Sequence, residues 1–185
     1  MAARDERTDE ELMGAYIDGD KSALRILFDR HSPALLGMLR RSLPAEADAR
    51  DLLQQTFLQL HRARNDFRRD ARLKPWLFTI ALNLKREYFR KRARKKETPM
   101  DPESYPEPSV EPRVLQGFEH SLQVREAVDA LPESMRIVIE MHWFDELPFK
   151  EIAEILGLGL SAVKVRAHRG YKKLRESLSE LESNL

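Results

Sequence analysis

Residues 149–176, FKEIAEILGLGLSAVKVRAHRGYKKLRE, contain the pattern that decides the fold of the C-terminal part of this chain. Apolar residues first recur at helical spacing and then stop at Gly157-Leu158-Gly159, as happens where the backbone needs a positive φ. A second helix is expected from about Leu160, because apolar positions again recur every three or four residues. These positions are Val163, Ala167, Gly170, Leu174, Leu178 and Leu181. Two helices joined by so short a turn are typical of a DNA-binding helix-turn-helix.

The opposite face of this second helix is predicted to be basic. At about 100° per residue, one set of residues lies opposite the apolar stripe or flanks it. The set comprises Ser161, Lys164, Val165, Arg166, His168, Arg169, Lys172 and Lys173. Residues 160–175 hold six Lys or Arg and no acidic residue, whereas residues 119–185 hold nine Lys or Arg against twelve Asp or Glu. A run of charge is often only a solvated face, but here it coincides with the turn, which favours nucleic acid.

Composition excludes several classes of protein. The 185 residues carry a net charge of +1 and no cysteine, which excludes disulfides, thiolate catalysis and cysteine-ligated zinc. The five histidines form no metal-binding pattern, and we find no catalytic motif. The sequence therefore predicts no metal site, no cofactor and no enzymatic activity. The charged N-terminus is unlike a signal peptide, and no apolar run is long enough to span a bilayer. These features predict a cytoplasmic, all-α protein without membrane insertion.

Three helices are predicted before residue 65. Thr8 and Glu11 form a capping-box pattern at the start of a short first helix. Asp20 is suited to cap a second helix over residues 21–41, which Ser32-Pro33 could bend or interrupt. A third helix is expected over residues 45–64.

One face of the third helix is polar but includes a leucine. Asp51, Gln55, Leu58 and Arg62 lie opposite its apolar side, with Gln54 beside them. Helical geometry alone leaves open whether this face binds a partner protein or only meets solvent.

The segment 62–96 is strongly basic, with fourteen Lys or Arg against three Asp or Glu. A polar loop is predicted over residues 65–74, and Pro75 suits the first turn of the helix that follows. Thr79, Leu82, Asn83, Arg86 and Arg90 are placed on the exposed side of that helix. Four aromatic residues are interleaved with the charge, which suits melted nucleic acid. Burial in the core is favoured for Trp76 and Tyr88, while Phe78 and Phe89 are left between core and base contact.

Composition changes sharply at residue 97. Residues 97–112 hold five prolines and five acidic residues, which predicts an extended and flexible linker. The predicted fold is therefore two small helical domains, residues 8–96 and 117–182, joined by a flexible, acidic, proline-rich linker over residues 97–116. The C-terminal domain contains the helix-turn-helix, and its earlier helices, with Ile137, Val138 and Met141, are expected to cover it.

Three stretches in this order resemble the extracytoplasmic-function (ECF) group of bacterial sigma-70 factors. DARDLLQQTFLQLHR, residues 48–62, is similar to the family's polymerase-binding helix (D-L-x-Q-E-x-F). KPWLFTIALNLKREYFRKR, residues 74–92, resembles its W-L-x-x-I-A-x-N helix. Residues 131–176 resemble its C-terminal DNA-binding domain.

The resemblance implies a set of binding residues. Core RNA polymerase would bind Asp51, Gln54, Gln55 and Leu58. The promoter −10 element would be recognised and opened by Arg68, Arg69, Lys74, Asn83, Arg86 and Arg90. The −35 element would be recognised by Ser161, Lys164, Val165, Arg166, His168, Arg169 and Lys172. The resemblance also implies that the linker lies in the polymerase channel for nascent RNA, and that an anti-sigma factor covers both the polymerase-binding and the DNA-binding surfaces.

Three positions depart from the family pattern. Gln55 replaces the usual Glu, Leu82 stands where Arg is common, and Val165 stands where Ser or Thr is common. Two other functions compete with the resemblance. A DNA-binding regulator that acts without polymerase would leave the basic N-terminal segment without a role. An enzyme acting on nucleic acid would need a cluster of metal-binding carboxylates or a nucleophile, which the sequence does not show.

Overall fold

The computed structural model describes residues 5–96 and 119–182, and within these ranges the chain is helical and contains no strand. The helices fall into two compact units. The first unit contains α1 (Asp9–Ile17), α2 (Lys21–Ser42), α3 (Glu46–Arg62), one 3-10 turn (Arg64–Asp66) and α4 (Leu73–Lys96). The second contains α5 (Glu119–Asp129), α6 (Glu133–Trp143), α7 (Phe149–Leu156) and α8 (Leu160–Glu182). The linker predicted over residues 97–116 lies outside the described residues.

Helix starts in the first unit follow the predicted caps. The Thr8 hydroxyl accepts a hydrogen bond from the Glu11 amide, and the Glu11 carboxylate accepts one from the Thr8 amide, which completes the capping box. The Asp20 carboxylate accepts from the Ser22 amide and begins α2. These bonds satisfy amide groups that have no partner within the helix. Pro33 does not interrupt α2, which runs through it to Ser42.

α4 contacts all three other helices of the first unit, α1, α2 and α3. The buried side chains of α4 cover a wide arc of the helix rather than one narrow stripe. Its fully buried large side chains are Leu73, Leu77, Phe78 and Leu82. The exposed position predicted for Leu82 is therefore wrong, since only 1% of this residue is accessible. Phe78, for which both roles were open, is a core residue with no accessible surface.

The segment predicted as a polar loop over residues 65–74 is shorter and partly buried. Its first residues form the 3-10 turn, and α4 begins at Leu73, two residues before Pro75. Phe67 and Leu73 are both buried, and the Phe67 ring lies 5.1 Å from the half-buried ring of Trp76. Between these two anchors, residues 68–72 are exposed or half-buried. We call residues 68–72 the basic loop.

The second unit contains the predicted helix-turn-helix. Gly157 ends α7 in the left-handed conformation, with φ of 65°, and its amide donates to the Glu154 carbonyl. The Leu158 amide donates to the Ala153 carbonyl at 2.9 Å, which completes a Schellman motif. α8 then begins at Leu160 and packs against α5, α6 and α7. Its buried side includes Val163, Ala167 and Gly170, as the spacing predicted.

α6 lies over the helix-turn-helix. Val138, Ile139 and Met141 are buried, whereas Ile137, expected in the same layer, is half-buried. Ile139 forms a cluster with Val128 and Leu131, against which Tyr171 and Leu174 of α8 pack. α8 is thus held along one side, and its other side is left exposed.

Candidate nucleic-acid and partner interfaces

The first candidate surface is the outer face of α3. Asp51, Gln54, Gln55 and Leu58 are all exposed, and 44% of Leu58 is accessible. The opposite side of α3 is buried through Ala49, Leu52, Leu53, Thr56, Phe57 and Leu60. Within the described residues, the four exposed side chains make no hydrogen bond or ion pair. The fold therefore supports this face from behind and leaves its polar groups and one apolar side chain available.

The second candidate surface is the basic loop. Arg68 and Asp70 form an ion pair within the loop, with Nη2 and Oδ2 2.6 Å apart. Arg69 instead pairs with Asp18 at the end of α1, where Nη1 lies 3.1 Å from Oδ2 and Nη2 lies 2.5 Å from Oδ1. Each hydrogen-bonded guanidinium holds the pKa of its partner carboxylate below its ordinary value. Lys74 lies just beyond the loop, with its ammonium 5.9 Å from the centre of the Phe78 ring.

The exposed side of α4 continues this basic surface. Asn83, Arg86 and Arg90 are exposed, and an Arg86 Nη1 atom donates to the Asn83 Oδ1 atom at 3.3 Å. The aromatic residues of α4 divide between core and surface. Phe89 is exposed, whereas Tyr88 is half-buried and donates its hydroxyl to Asp48 Oδ2 at 2.7 Å. Burial and this bond to a carboxylate raise the pKa of Tyr88. Tyr88 therefore ties α4 to α3, and Phe89 is the aromatic residue that remains available to a ligand.

The third candidate surface is the outer face of α8. Ser161, Lys164, Val165, His168, Arg169 and Lys172 are exposed, and Arg166 is half-buried. Lys172 approaches Glu176 at 3.8 Å, one helical turn away. Lys164, Arg166 and Arg169 form no ion pair or hydrogen bond with any described residue. These unpaired cations form the set of charges that a polyanion would neutralise.

Two contacts between α6 and α8 hold this face in position. The Trp143 indole donates Nε1–H to the Tyr171 hydroxyl at 2.9 Å, although 67% of Trp143 is accessible. At Gly170 the helices approach so closely that a Cβ atom there would lie 3.1 Å from Ile139 Cγ1. The orientation of α8 is therefore set by a small residue inside and by a polar contact near the surface.

The structure brings together residues that sequence patterns did not connect. Glu10 lies near the start of α1, where acidic residues are common because they interact favourably with the helix dipole. Its Oε1 nevertheless accepts a hydrogen bond from the amide of Leu73 in α4, at 3.0 Å. The contacts of Asp18 with Arg69 and of Tyr88 with Asp48 also join distant parts of the chain, across 51 and 40 residues. No periodicity could have indicated them, because they depend on how α1, α3 and α4 pack.

Neither a metal site nor a membrane-spanning helix is found in the part of the chain that the structure describes. No group of three or more His, Cys, Asp or Glu side chains there is placed to bind a metal ion. Likewise, none of the described helices combines the length and apolar character needed to cross a bilayer.

Both units are similar to parts of known proteins. The model of sigma-70 region 2 matches residues 27–95, and the model of sigma-70 region 4 matches residues 121–174. The chain is 35% identical over 179 residues to RNA polymerase sigma factor CarQ from Myxococcus xanthus, covering 92% of this chain and 97% of that one. It is 30% identical over 185 residues to the ECF RNA polymerase sigma factor SigM from Mycobacterium tuberculosis, covering 100% of this chain and 92% of that one. Among solved structures, CnrH in complex with the cytosolic domain of CnrY has a TM-score of 0.70 at 28% identity, covering 93% of this chain and 97% of that one.

Proposed function

The chain belongs to the ECF group of sigma-70 RNA polymerase sigma factors, and we propose that it directs core RNA polymerase to promoters with particular −10 and −35 elements. In this role the chain acts by binding rather than by catalysis. The first unit binds polymerase and opens the −10 element, and the second unit binds the −35 element.

The observation that supports this proposal best is the outer face of α3. A regulator that needs only DNA has no use for a supported, unpaired surface on a unit other than the one that contains its helix-turn-helix. Asp51, Gln54 and Gln55 offer hydrogen-bonding groups, and Leu58 supplies an apolar contact among them. A polar rim around an exposed apolar side chain is typical of a protein interface. We therefore assign these four residues to core polymerase.

Promoter opening is assigned to the basic loop and α4. Arg68, Arg69 and Lys74 lie in or beside the loop, and Asn83, Arg86 and Arg90 extend the surface along α4. Guanidinium and ammonium groups neutralise the phosphates of both strands, while Asn83 can form hydrogen bonds with an unpaired base. The exposed ring of Phe89 offers a stacking surface for an unstacked base.

Recognition of the −35 element is assigned to the outer face of α8. An α-helix fits the major groove of B-DNA, where side chains near its N-terminus meet base edges. Ser161, Val165, His168 and Arg169 lie on the part of α8 that would face the bases. Lys164, Arg166 and Lys172 flank them and would contact phosphates.

We also propose control by an anti-sigma factor that covers the α3 face and the α8 face. The solved relative CnrH forms a complex with the cytosolic domain of CnrY, so a protein with 28% identity to this chain is bound by another protein. Both faces of the present chain are largely exposed, and most of their side chains have no partner among the described residues, which makes them available to such a partner.

Transcription in vitro tests the proposal directly. Bacterial core polymerase, the purified chain and a genomic fragment library are combined, and RNA start sites are mapped with and without the chain. Starts that share paired upstream motifs and depend on the chain are expected. Tight binding of the chain alone to duplex DNA, without new starts, would instead identify a regulator that acts without polymerase.

A matched pair of variants tests the polymerase surface. Leu58→Arg should weaken binding to core polymerase by about five- to thirtyfold, because it places a charge at an apolar contact. Gln59→Arg introduces the same side chain at the neighbouring exposed position and should bind core nearly as tightly as the unmodified chain. Equal effects of the two variants would remove Leu58 from the interface.

A further inference from the structure

The basic loop is attached to α1 at two points, through Glu10 and through Arg69. The second attachment narrows the proposed promoter-binding surface, because it gives Arg69 a role other than contact with DNA. The two ends of the loop are already anchored by the buried side chains of Phe67 and Leu73. The five residues between them include three arginines and are exposed or half-buried, so their conformation depends on contacts with neighbouring elements. α1 makes such contacts.

The first point is the start of α4. Glu10 Oε1 accepts a hydrogen bond from the Leu73 amide at 3.0 Å, across 63 residues of sequence. Leu73 is the first residue of α4, so its amide has no partner within the helix. A carboxylate at this end also meets the positive end of the helix dipole. Glu10 thus caps α4 from another helix and fixes where the loop ends.

The second point is Arg69. Its guanidinium makes two hydrogen bonds with the Asp18 carboxylate, at 3.1 and 2.5 Å. It also lies over the α1 backbone, because a Cβ atom on Gly14 would be 3.7 Å from Arg69 Nη1. Arg68, by contrast, pairs with Asp70 inside the loop, and that pair does not tie the loop to another element.

We propose that α1 positions the basic loop for the −10 element through Glu10 and Asp18, and that Arg69 acts by holding the loop to Asp18 rather than by touching DNA. Glu10, Asp18 and Arg69 are therefore positioning residues, whereas Arg68 and Lys74 contact the nucleic acid. This inference rests on the proposed promoter-opening role of the loop.

An exchange of charges separates a positioning role from direct contact. Holoenzyme is assembled from core polymerase and the full chain carrying Asp18→Arg, Arg69→Asp or both substitutions. The template is a promoter recovered from the library experiment, with 2-aminopurine in its −10 element, and the rate of strand opening is followed by fluorescence. Each single variant places like charges together and should slow opening by about two- to fivefold. The double variant restores an ion pair of reversed polarity and should open within about twofold of the unmodified chain.

The control pairs Asp18→Arg with Arg25→Asp, because Arg25 is exposed on α2 and lies outside the proposed promoter surface. This combination has the same net charge as the exchanged pair, but it cannot rebuild the contact between the loop and α1. It should remain slow. Competition with the unmodified chain for core polymerase should be unaffected in every variant, because the α3 face is unchanged.

Two substitutions, Glu10→Gln and Glu10→Ala, test the role of Glu10. Glu10→Gln keeps an oxygen that accepts from the Leu73 amide and should open nearly normally. Glu10→Ala removes the cap and should slow opening by about three- to tenfold.

Three results would overturn the inference. A double variant as slow as Arg69→Asp would show that DNA needs the arginine itself. Normal opening by the single variants and by Glu10→Ala would show that the loop does not depend on α1. Loss of core binding along with opening would show that α1 supports the whole unit. If the unmodified chain opens no promoter, the proposed function fails instead, which the same assay reveals first.

Discussion

Replacing Gly170 by alanine should destabilise the second unit, although alanine is the better helix former. A Cβ atom at this position would lie 3.1 Å from Ile139 Cγ1, 3.3 Å from Ile139 Cδ1 and 3.6 Å from Met135 Cβ. The first two distances are shorter than ordinary van der Waals contact, so Ile139 must move. Ile139 is buried in a cluster with Val128 and Leu131, and it has little free space to enter.

Two opposing terms set the size of the effect. Alanine in place of glycine in a helix interior is favourable by about 1 kcal/mol. Overpacking a well-packed core costs about 1–3 kcal/mol. The sum is a loss of about 0–2 kcal/mol in the free energy of unfolding of the second unit. Shortening the obstructing side chain with Ile139→Val removes the Cδ1 contact, so the two substitutions should be less destabilising together than the sum of the single effects.

Hydrogen exchange in the full chain measures this effect where it occurs. The protection of amides in α8 reports the opening free energy of the second unit, independently of the first. Gly37→Ala in α2 is the matched control, because its Cβ would meet only the Arg41 guanidinium at an ordinary 3.6 Å. This control should stabilise α2 by up to about 1 kcal/mol. A Gly170→Ala variant that is stabilised as much as Gly37→Ala would refute the packing argument, as would strict additivity with Ile139→Val.

Three further predictions concern single side chains. Arg169→Ala should weaken −35 binding by about 1–3 kcal/mol if Arg169 contacts a base. If Arg169 contacts a phosphate instead, the loss should be the same for all DNA sequences, and the dependence of log affinity on log salt should fall by about one. Val165→Ser should change the preferred −35 sequence more than the overall affinity, because the valine methyl groups can pack on a thymine methyl; identical motifs from a selection with both proteins would contradict this. Burial raises the pKa of Asp9, but hydrogen bonds and charges from His31 and Arg30 more than offset it, so this pKa lies below its ordinary value. A lowered pKa stabilises the fold above about pH 4 and loses that contribution as pH falls, so urea midpoints of Asp9→Asn should fall below those of the unmodified chain at pH 7 and converge with them below about pH 4.

The sequence was most informative where structure depends on near neighbours. The capping box at Thr8, the cap at Asp20 and the left-handed turn at Gly157 are all confirmed, because each involves groups within a few residues of one another. The exposed face of α8 was also predicted correctly, because its buried residues Val163, Ala167 and Gly170 follow one helical stripe even though α8 contacts three helices. The roles of the residues on that face remain predictions.

The sequence was less informative for α4, which has neighbours on several sides. A single apolar stripe placed Leu82 outside, yet contacts with three helices bury it. Burial of Phe78 could not be decided for the same reason. The polar loop predicted over residues 65–74 failed for a related reason. The composition of this segment is mostly polar, but burial of Phe67 and Leu73 depends on how the neighbouring helices pack.

The sequence by itself determined the helical character of the chain, the caps at Thr8 and Asp20, the turn of the helix-turn-helix and the concentration of positive charge in two segments. These features follow from backbone propensities and from residue spacing, which act over a few positions of the chain. Only the tertiary structure decided that Glu10 caps α4, that Asp18 holds Arg69 and that Ile139 closes over Gly170. Each of these contacts joins residues far apart in sequence. It forms because packing of the apolar faces of the helices sets the distance and the crossing angle between them.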